Sequence, residues 1–121
     1  MTAHYVISVK HTKKDDLYIS VWRPENAGYA WPLSWAGRYS DEEIVSSLDY
    51  YHNGSDSIAV PCEVLDELAV PTIPKTVDND AGPVVMHTKE NWGKILISLG
   101  RTPASQPKPT FKRSRTQKGF A

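Results

Sequence analysis

The residues best suited to ligand chemistry lie in one short stretch of the chain, residues 22–39. Five of the twelve aromatic residues fall within these eighteen positions, together with the only two arginines of the first 100 residues. A guanidinium offers a planar fork to a phosphate or carboxylate and also stacks on aromatic faces. This combination is typical of a nucleotide-binding cleft or of the centre of a protein interface. The predicted ligand-binding residues are Trp22, Arg23, Tyr29, Trp31, Trp35, Arg38 and Tyr39.

The same stretch also has a purely structural explanation. Its aromatic side chains would then fill the core, and its arginines would pair with some of the 14 acidic residues. Arg23 shares the alternation of Ile19 and Val21, so its side chain can extend the apolar face of a strand. The spacing leaves open whether Arg23 and Arg38 share one pocket.

Recognisable catalytic and cofactor motifs are absent from the sequence, so binding is expected rather than catalysis, with no cofactor and no metal. Pro61 places the single cysteine, Cys62, in the first turn of a helix, where a thiol pKa can fall, but a buried, inert thiol is the preferred interpretation.

Residues 78–82 resemble a calcium loop, yet their glycine comes one place early and Lys89 replaces the closing glutamate. A small hydrolase or transferase that uses Cys62 or a carboxylate with a histidine is the last alternative. The histidines are His4, His11, His52 and His87.

The formal net charge of zero hides two unlike segments. Residues 1–100 carry 8 basic and 14 acidic residues, whereas residues 101–121 carry 6 basic residues, no acidic residue and three prolines. Such a C-terminal segment buries too little apolar surface to offset its ordering entropy. We therefore predict a folded domain over residues 1–100 and a flexible, disordered basic tail over residues 101–121.

The basic tail supports an alternative function, nucleic-acid binding. Its cations would hold phosphates with salt-sensitive, sequence-independent affinity, while Phe111 and Phe120 would stack on bases. The tail would equally suit docking on the acidic domain of a second copy, which would make the protein a homo-oligomer. The candidate nucleic-acid residues are Lys112, Arg113, Arg115 and Lys118.

Hydropathy and cysteine content restrict the class of protein. No run approaches the roughly 18 apolar residues of a membrane span, and the first residues lack the pattern of a secretory signal. One cysteine excludes an internal disulfide framework and a zinc site built from several cysteines. We expect a cytoplasmic protein that does not bind membranes.

Alternating side chains predict the strands. Residues 5–11 and 17–23 alternate and are separated by a short polar segment, which indicates an antiparallel hairpin. Residues 29–33 form a third, imperfect extended segment, which Pro32 would place at a sheet edge. Short apolar runs at residues 57–60 and 84–86 are further strands.

Capping signals predict three helices. Ser40 and Glu43 form a capping box before a helix whose apolar face contains Ile44, Val45, Leu48 and Tyr51. A short helix follows Pro61 over residues 62–68, and Thr88 caps a last helix with Trp92, Ile95, Leu96 and Leu99 on one face. The predicted fold is a single α+β domain with an antiparallel sheet of about four short strands and three short helices.

Residues 22–39 resemble a signature of small accessory proteins of tailed bacteriophages and prophages. The stretch reads Trp22-Arg23-Pro24-Glu25-Asn26-Ala27-Gly28-Tyr29-Ala30-Trp31-Pro32-Leu33-Ser34-Trp35-Ala36-Gly37-Arg38-Tyr39. Residues 50–54, 58–61 and 80–85 are similar to that family as well. The likeness spans about residues 4–99 and carries no established activity, so it transfers no functional residue. It implies a context in which small proteins bind, either blocking a host defence complex or sequestering a signalling nucleotide.

These observations favour a phage-encoded, non-enzymatic binding protein that antagonises a host defence system. One form would sequester a nucleotide-like ligand and predicts Arg23 and Arg38 in one aromatic pocket at a subunit interface. The other form would block a host protein through an exposed aromatic or acidic surface, since the acidic domain resembles nucleic acid in charge. The tail-mediated nucleic-acid binder and the small hydrolase or transferase remain alternatives.

Overall fold

The computed structural model describes residues 3–77 and 82–112. It contains a five-stranded antiparallel sheet in which the first strand is central. The first strand pairs along one edge with the fifth, and its other edge is shared by the second and fourth strands. The third strand pairs with the second and lies at the edge of the sheet. The strands are β1 (Ala3–Ser8), β2 (Val21–Trp22), β3 (Tyr29–Ala30), β4 (Tyr39–Ser40) and β5 (Ser57–Pro61).

Four α-helices and two short 3₁₀ helices complete the fold within the described residues. The predicted α+β class with an antiparallel sheet is confirmed. None of the helices in this part of the chain is long and apolar enough to cross a bilayer. The helices are α1 (Asp41–Ser46), α2 (Leu48–Tyr51), α3 (Cys62–Leu68) and α4 (Lys89–Ile97), and the 3₁₀ helices are Pro24–Asn26 and Leu33–Trp35.

Both faces of the sheet are buried. Because successive side chains of a strand point to opposite faces, Tyr5 and Ile7 of β1 lie in one apolar cluster and Val6 lies in another. The larger cluster includes Leu65 of α3 and Trp92 of α4. The smaller cluster, which we call the aromatic cluster, contains Val6, Trp22, Tyr39, Ile44, Tyr51 and Ala59.

The helix predicted after residue 40 begins as expected but does not continue as one element. Ser47 adopts φ −151° and ψ 65°, which separates α1 from α2. Ile44 and Tyr51 are buried, whereas Val45 and Leu48 are exposed. The predicted common apolar face is therefore wrong: Val45 is exposed within α1 itself, and the break at Ser47 changes the rotation of α2, which contains Leu48, relative to α1.

The predicted strand over residues 17–23 has two different partners. Val21 pairs with Ile7 of β1, which confirms the hairpin. Tyr18 instead forms an isolated bridge with Met86, and the Ile19 amide donates to the Val85 carbonyl. The short apolar run at residues 84–86 therefore extends the pairing of this segment beyond the sheet.

Residues 101–112, which the sequence prediction assigned to the tail, run along the surface of the domain. The Ser105 amide donates to the Asn53 carbonyl at 2.9 Å, and Pro107 is buried. Farther along, Phe111 stacks on His87 with ring centroids 4.7 Å apart. Lys112 is exposed, and the other nucleic-acid candidates lie outside the described residues. The division of the chain at residue 100 stays a prediction.

Candidate functional site

Four of the seven predicted ligand-binding residues line one surface cavity of about 440 Å³, which we call the edge pocket. It lies beside the edge strand β3 and next to the loop that joins β1 to β2. His11 and Lys13 of that loop also contribute to its lining. The four predicted residues in the edge pocket are Arg23, Tyr29, Trp31 and Trp35.

Arg23 is held in the edge pocket by two contacts. Its Nε donates to the Tyr29 carbonyl at 3.1 Å, and its guanidinium carbon lies 5.1 Å from the centroid of the Trp35 ring. Within residues 3–77 and 82–112, Arg23 forms no ion pair. Among the described residues the Arg23 side chain forms no hydrogen bond other than this Nε bond, so its two terminal nitrogens can still donate.

Aromatic rings form the walls of the edge pocket. The Tyr29 and His11 rings lie with centroids 4.2 Å apart and planes tilted by 38°. Trp31 meets the Tyr18 ring edge to face at 5.6 Å, so a core residue supports it. Planar rings at several orientations around one cavity can stack on an aromatic ligand.

A tight turn before β3 brings these side chains together. Glu25 and Asn26 adopt positive φ angles of 56° and 58°, and Gly28 has φ 107°, a value that favours glycine. The Arg23 amide donates to the Gly28 carbonyl at 2.8 Å and closes the turn. β3 ends before Pro32, in agreement with the predicted edge position.

Trp22 and Tyr39 lie in the aromatic cluster rather than in the edge pocket. Their rings meet edge to face at 6.4 Å, and both residues are buried, as the structural explanation expects. The Tyr39 hydroxyl donates to the Arg23 carbonyl and accepts from the Asn26 amide. Burial raises the pKa of Tyr39. Tyr39 thus supports, from the core, the turn that carries Arg23.

Arg38 is directed to a different part of the molecule. Its guanidinium lies 5.2 Å from the Tyr5 ring centroid, donates to the Tyr5 hydroxyl at 3.0 Å and pairs with Asp66 at 3.4 Å. The Tyr5 hydroxyl donates to the other Asp66 oxygen at 2.6 Å, and burial together with this carboxylate raises the pKa of Tyr5. Within one chain, the structure does not bring Arg23 and Arg38 together.

Cys62 is the first residue of α3 and is buried. Burial raises the pKa of its thiol, and the nearby Arg38 opposes this shift only in part. Desolvation therefore outweighs the favourable helix position that would lower the pKa. The geometry agrees with the expected inert thiol.

Two histidines use both ring nitrogens to hold the fold. His52 accepts from the Ala59 amide at Nδ1 (3.0 Å), so its Nε2 donates to the Arg101 carbonyl at 2.8 Å. His87 likewise accepts from Trp92 Nε1 at 2.8 Å and donates to the C-terminal segment. Among residues 3–77 and 82–112, no group of three or more His, Cys, Asp or Glu side chains is arranged to hold a metal ion.

We expect His4 to make the folded protein less stable as the pH falls below about 6.5. Burial lowers the pKa of His4 from its ordinary value of 6.5, against the opposing effect of Asp41. The unfolded chain therefore binds a proton at pH values where the folded chain does not. As the pH is lowered below 6.5, the free energy of unfolding decreases until the folded-state pKa is reached.

Urea unfolding of the wild type and of His4→Phe, at about pH 7 and about pH 5.5, measures this contribution. The phenylalanine variant should lose less stability over this interval because it has no imidazole to protonate. Equal losses in the two proteins would contradict the assignment to His4.

His11 and Lys13 were not predicted as part of the site. The predicted hairpin could have placed these two residues in the site, because pairing of β1 with β2 brings their connecting loop beside residues 20–23. Asp16 lies in the same loop and its carboxylate accepts from the Lys13 amide at 2.9 Å. The residues that line the edge pocket therefore include two basic residues, Arg23 and Lys13, and one acidic residue, Asp16.

Comparisons of the chain with models of protein families, with curated proteins and with solved structures find no match. The resemblance to phage accessory proteins stays a prediction.

Proposed function

We propose that the protein is a non-enzymatic binding protein whose edge pocket takes a nucleotide-like ligand, an aromatic base attached to a phosphorylated sugar. The observation that carries this proposal is the Arg23 guanidinium, held 5.1 Å from the Trp35 ring inside a cavity of about 440 Å³. A cation fixed beside aromatic surfaces matches a ligand that joins an anion to a planar ring.

The two parts of such a ligand would use different groups of the edge pocket. The base would stack against Tyr29, Trp31 or Trp35, an interaction worth roughly 1–3 kcal/mol per base. The phosphate would accept hydrogen bonds from Arg23 and Lys13, and such charge-assisted bonds are roughly twice as strong as neutral ones. The cavity volume lies within the usual range of about 300–1,000 Å³ for small-molecule sites.

The resemblance to phage accessory proteins supports a biological role for such binding. A small phage protein that holds a host signalling nucleotide without converting it would lower the free concentration of that nucleotide and so antagonise the defence system it activates. Arg38 takes no part in this site, since its guanidinium lies over the Tyr5 ring and outside the edge pocket.

Replacing Arg23 by alanine should weaken nucleotide binding by about tenfold to a hundredfold, because a charge-assisted contact to phosphate is lost. Isothermal titration with mononucleotides, cyclic mononucleotides and cyclic dinucleotides measures the effect. Arg38→Ala is the matched control: it removes the same charge from a residue whose side chain is 58% exposed and lies outside the edge pocket. An Arg23→Ala affinity equal to that of the wild type would count against the pocket.

A second candidate, the blocking of a host protein, is favoured by the surface of α1 and α2. These helices expose apolar side chains between acidic ones over a span of nine residues. A basic partner surface with an apolar centre would complement this pattern. The exposed apolar and acidic residues of this span are Glu42, Glu43, Val45, Leu48, Asp49 and Tyr50.

Native mass spectrometry after incubation with a bacterial lysate separates the two candidates. A retained adduct of nucleotide mass supports the edge pocket, whereas a retained basic protein supports the helical surface. Substitution of Trp35 by alanine should abolish the first adduct and leave the second complex unchanged.

A further inference from the structure

Residues 101–112, which we call the strap, lie on the domain as an extended peptide lies in a binding groove. The strap contains no helix or strand, and eight of its twelve residues are exposed. The exceptions are its three prolines and its phenylalanine, which are buried or half-buried. These four residues are Pro103, Pro107, Pro109 and Phe111. Between residues 107 and 111 every second side chain therefore faces the domain, as in extended backbone.

The domain holds the strap through the backbone at both ends. His52 Nε2 donates to the Arg101 carbonyl at 2.8 Å, and His87 Nε2 donates to the Thr110 carbonyl at 2.7 Å. Each ring is oriented from inside the domain, because its Nδ1 accepts from a donor outside the strap. The two Nε2 donors can therefore meet the backbone carbonyls of any extended segment, whatever its side chains.

The middle of the strap approaches the domain closely at Gly54. The Ser105 amide donates to the Asn53 carbonyl at 2.9 Å. A Cβ at residue 54 would lie 1.7 Å from the Ser105 carbonyl oxygen. The lack of a side chain at Gly54 therefore opens this part of the surface to the backbone of a bound segment.

The far end of this surface favours an aromatic side chain. The Phe111 ring stacks on the His87 ring with centroids 4.7 Å apart and planes inclined by 13°. The Lys89 ammonium lies 5.8 Å from the Phe111 centroid, within the range of a cation–π contact. A planar ring and a cation beside one position select an aromatic residue over an aliphatic one. We call the surface formed by His52, Asn53, Gly54, His87 and Lys89 the strap groove.

Few contacts keep the strap in its groove. Pro107 is its one buried residue, and the ion pair of Arg101 with Asp41 is about half-exposed, where such pairs add little stability. Segments that bury little apolar surface open at a small fraction of the free energy of global unfolding. The strap can therefore leave the groove while the sheet stays folded.

We propose that the strap groove is a peptide-binding site and that the strap is its exchangeable internal occupant. The partner is an extended segment of another protein with the spacing of Pro107, Pro109 and Phe111, that is, two alternate prolines and then an aromatic residue. Prolines favour the extended conformation in advance, which reduces the entropy lost on binding. The strap groove shares no residue with the lining of the edge pocket, so this proposal does not depend on nucleotide binding.

The occupancy of the groove within one chain favours a different protein over a second copy as the partner. The strap of a second copy would make the same contacts and would also lose translational and rotational freedom on association. It would compete with a strap that is tethered at high effective concentration. Only a segment that fits the groove better than the strap gains by replacing it.

Fluorescence anisotropy of a labelled synthetic peptide with the sequence of residues 101–112 tests the proposal. In the full-length Phe111→Ala protein the strap loses its aromatic anchor and competes less. The peptide should therefore bind this variant at least about tenfold more tightly than it binds the wild type. Full-length Pro107→Asp, which puts a charge at the buried position of the strap and changes no groove residue, should give a similar gain.

Lys108→Ala is the matched control, because the side chain of Lys108 is exposed on the same strap. This variant should bind the peptide as the wild type does. A peptide carrying Phe111→Ala should bind the Phe111→Ala protein at least about tenfold more weakly than the original peptide, and one carrying Phe111→Leu should fall between them.

The proposal is overturned if the peptide binds neither strap variant, or binds both no more tightly than the wild type. It is also overturned if Lys108→Ala gives the same gain or if the peptide binds equally well without its phenylalanine. Sedimentation of the wild type should show a monomer. A dimer that Phe111→Ala dissociates would overturn the proposal by making a second copy the occupant of the groove.

Discussion

Trp92→Ala should lower the free energy of unfolding by about 3–5 kcal/mol, the usual cost of deleting a large buried aromatic side chain. Trp92 of α4 is 2% exposed and lies in the larger apolar cluster between α4 and the sheet. Its Nε1 also donates to His87 Nδ1 at 2.8 Å. The substitution therefore leaves both a cavity and a buried nitrogen without its donor.

Chemical unfolding followed by circular dichroism measures this loss. Ile97→Ala is the matched control, because Ile97 lies on the same helix and is 88% exposed. Its effect should stay within roughly 0.5 kcal/mol. Trp92→Phe should fall between the two, since it keeps most of the apolar contact but loses the hydrogen bond to His87. Similar losses for Trp92→Ala and Ile97→Ala would contradict this packing of α4.

Gly54→Ala should destabilise the protein more than Gly28→Ala, by about 1–3 kcal/mol. Both glycines have positive φ, 91° and 107°, so both variants adopt a strained backbone that L residues rarely occupy. At Gly54 the added Cβ would lie 1.7 Å from the Ser105 carbonyl oxygen, whereas at Gly28 it would meet no atom of the described residues within 4 Å. The difference between the variants therefore reports the packing of residues 101–105 on the domain.

Denaturant unfolding of both variants, in the full chain and in a chain ending at residue 100, tests this explanation. In the shortened chain the extra cost at Gly54 should disappear, because Ser105 is no longer present. Equal losses at the two glycines in the full chain would contradict the contact between residue 54 and the C-terminal segment. The same data would test the predicted division of the chain at residue 100.

Local interactions made several elements predictable. Ser40 accepts from the Glu43 amide at 3.1 Å as the capping-box pattern indicates, and Thr88 accepts from the Asn91 amide at the start of α4. Both signals act within one helical turn, so no distant residue can change them much. The α+β class followed from such signals together with the alternation of the strands.

The candidate site was predictable in position but not in detail. Aromatic and arginine residues between positions 22 and 39 do form the wall of a cavity, yet the structure separates them into pocket, core and surface positions. Alternation could not separate Trp22 from Trp35, because Trp22 belongs to strand β2 whereas Trp35 ends a 3₁₀ helix, to which strand alternation does not apply. His11 and Lys13 enter the edge pocket only through the pairing of two strands.

The sequence by itself determined the starts of α1, α3 and α4, the hairpin, the edge position of β3 and the concentration of aromatic residues near Arg23, because each depends on neighbours in the chain. Only the tertiary structure decided that Arg38 pairs with Asp66 and that residues 101–112 lie along the domain. The physical reason is the same in both cases. The contacts among Arg38, Tyr5 and Asp66 join residues that are 28 to 61 positions apart in the sequence. The hydrogen bond between His52 and Arg101 joins residues 49 positions apart. Local composition contains no record of such partners, and only folding of the whole chain brings them into contact.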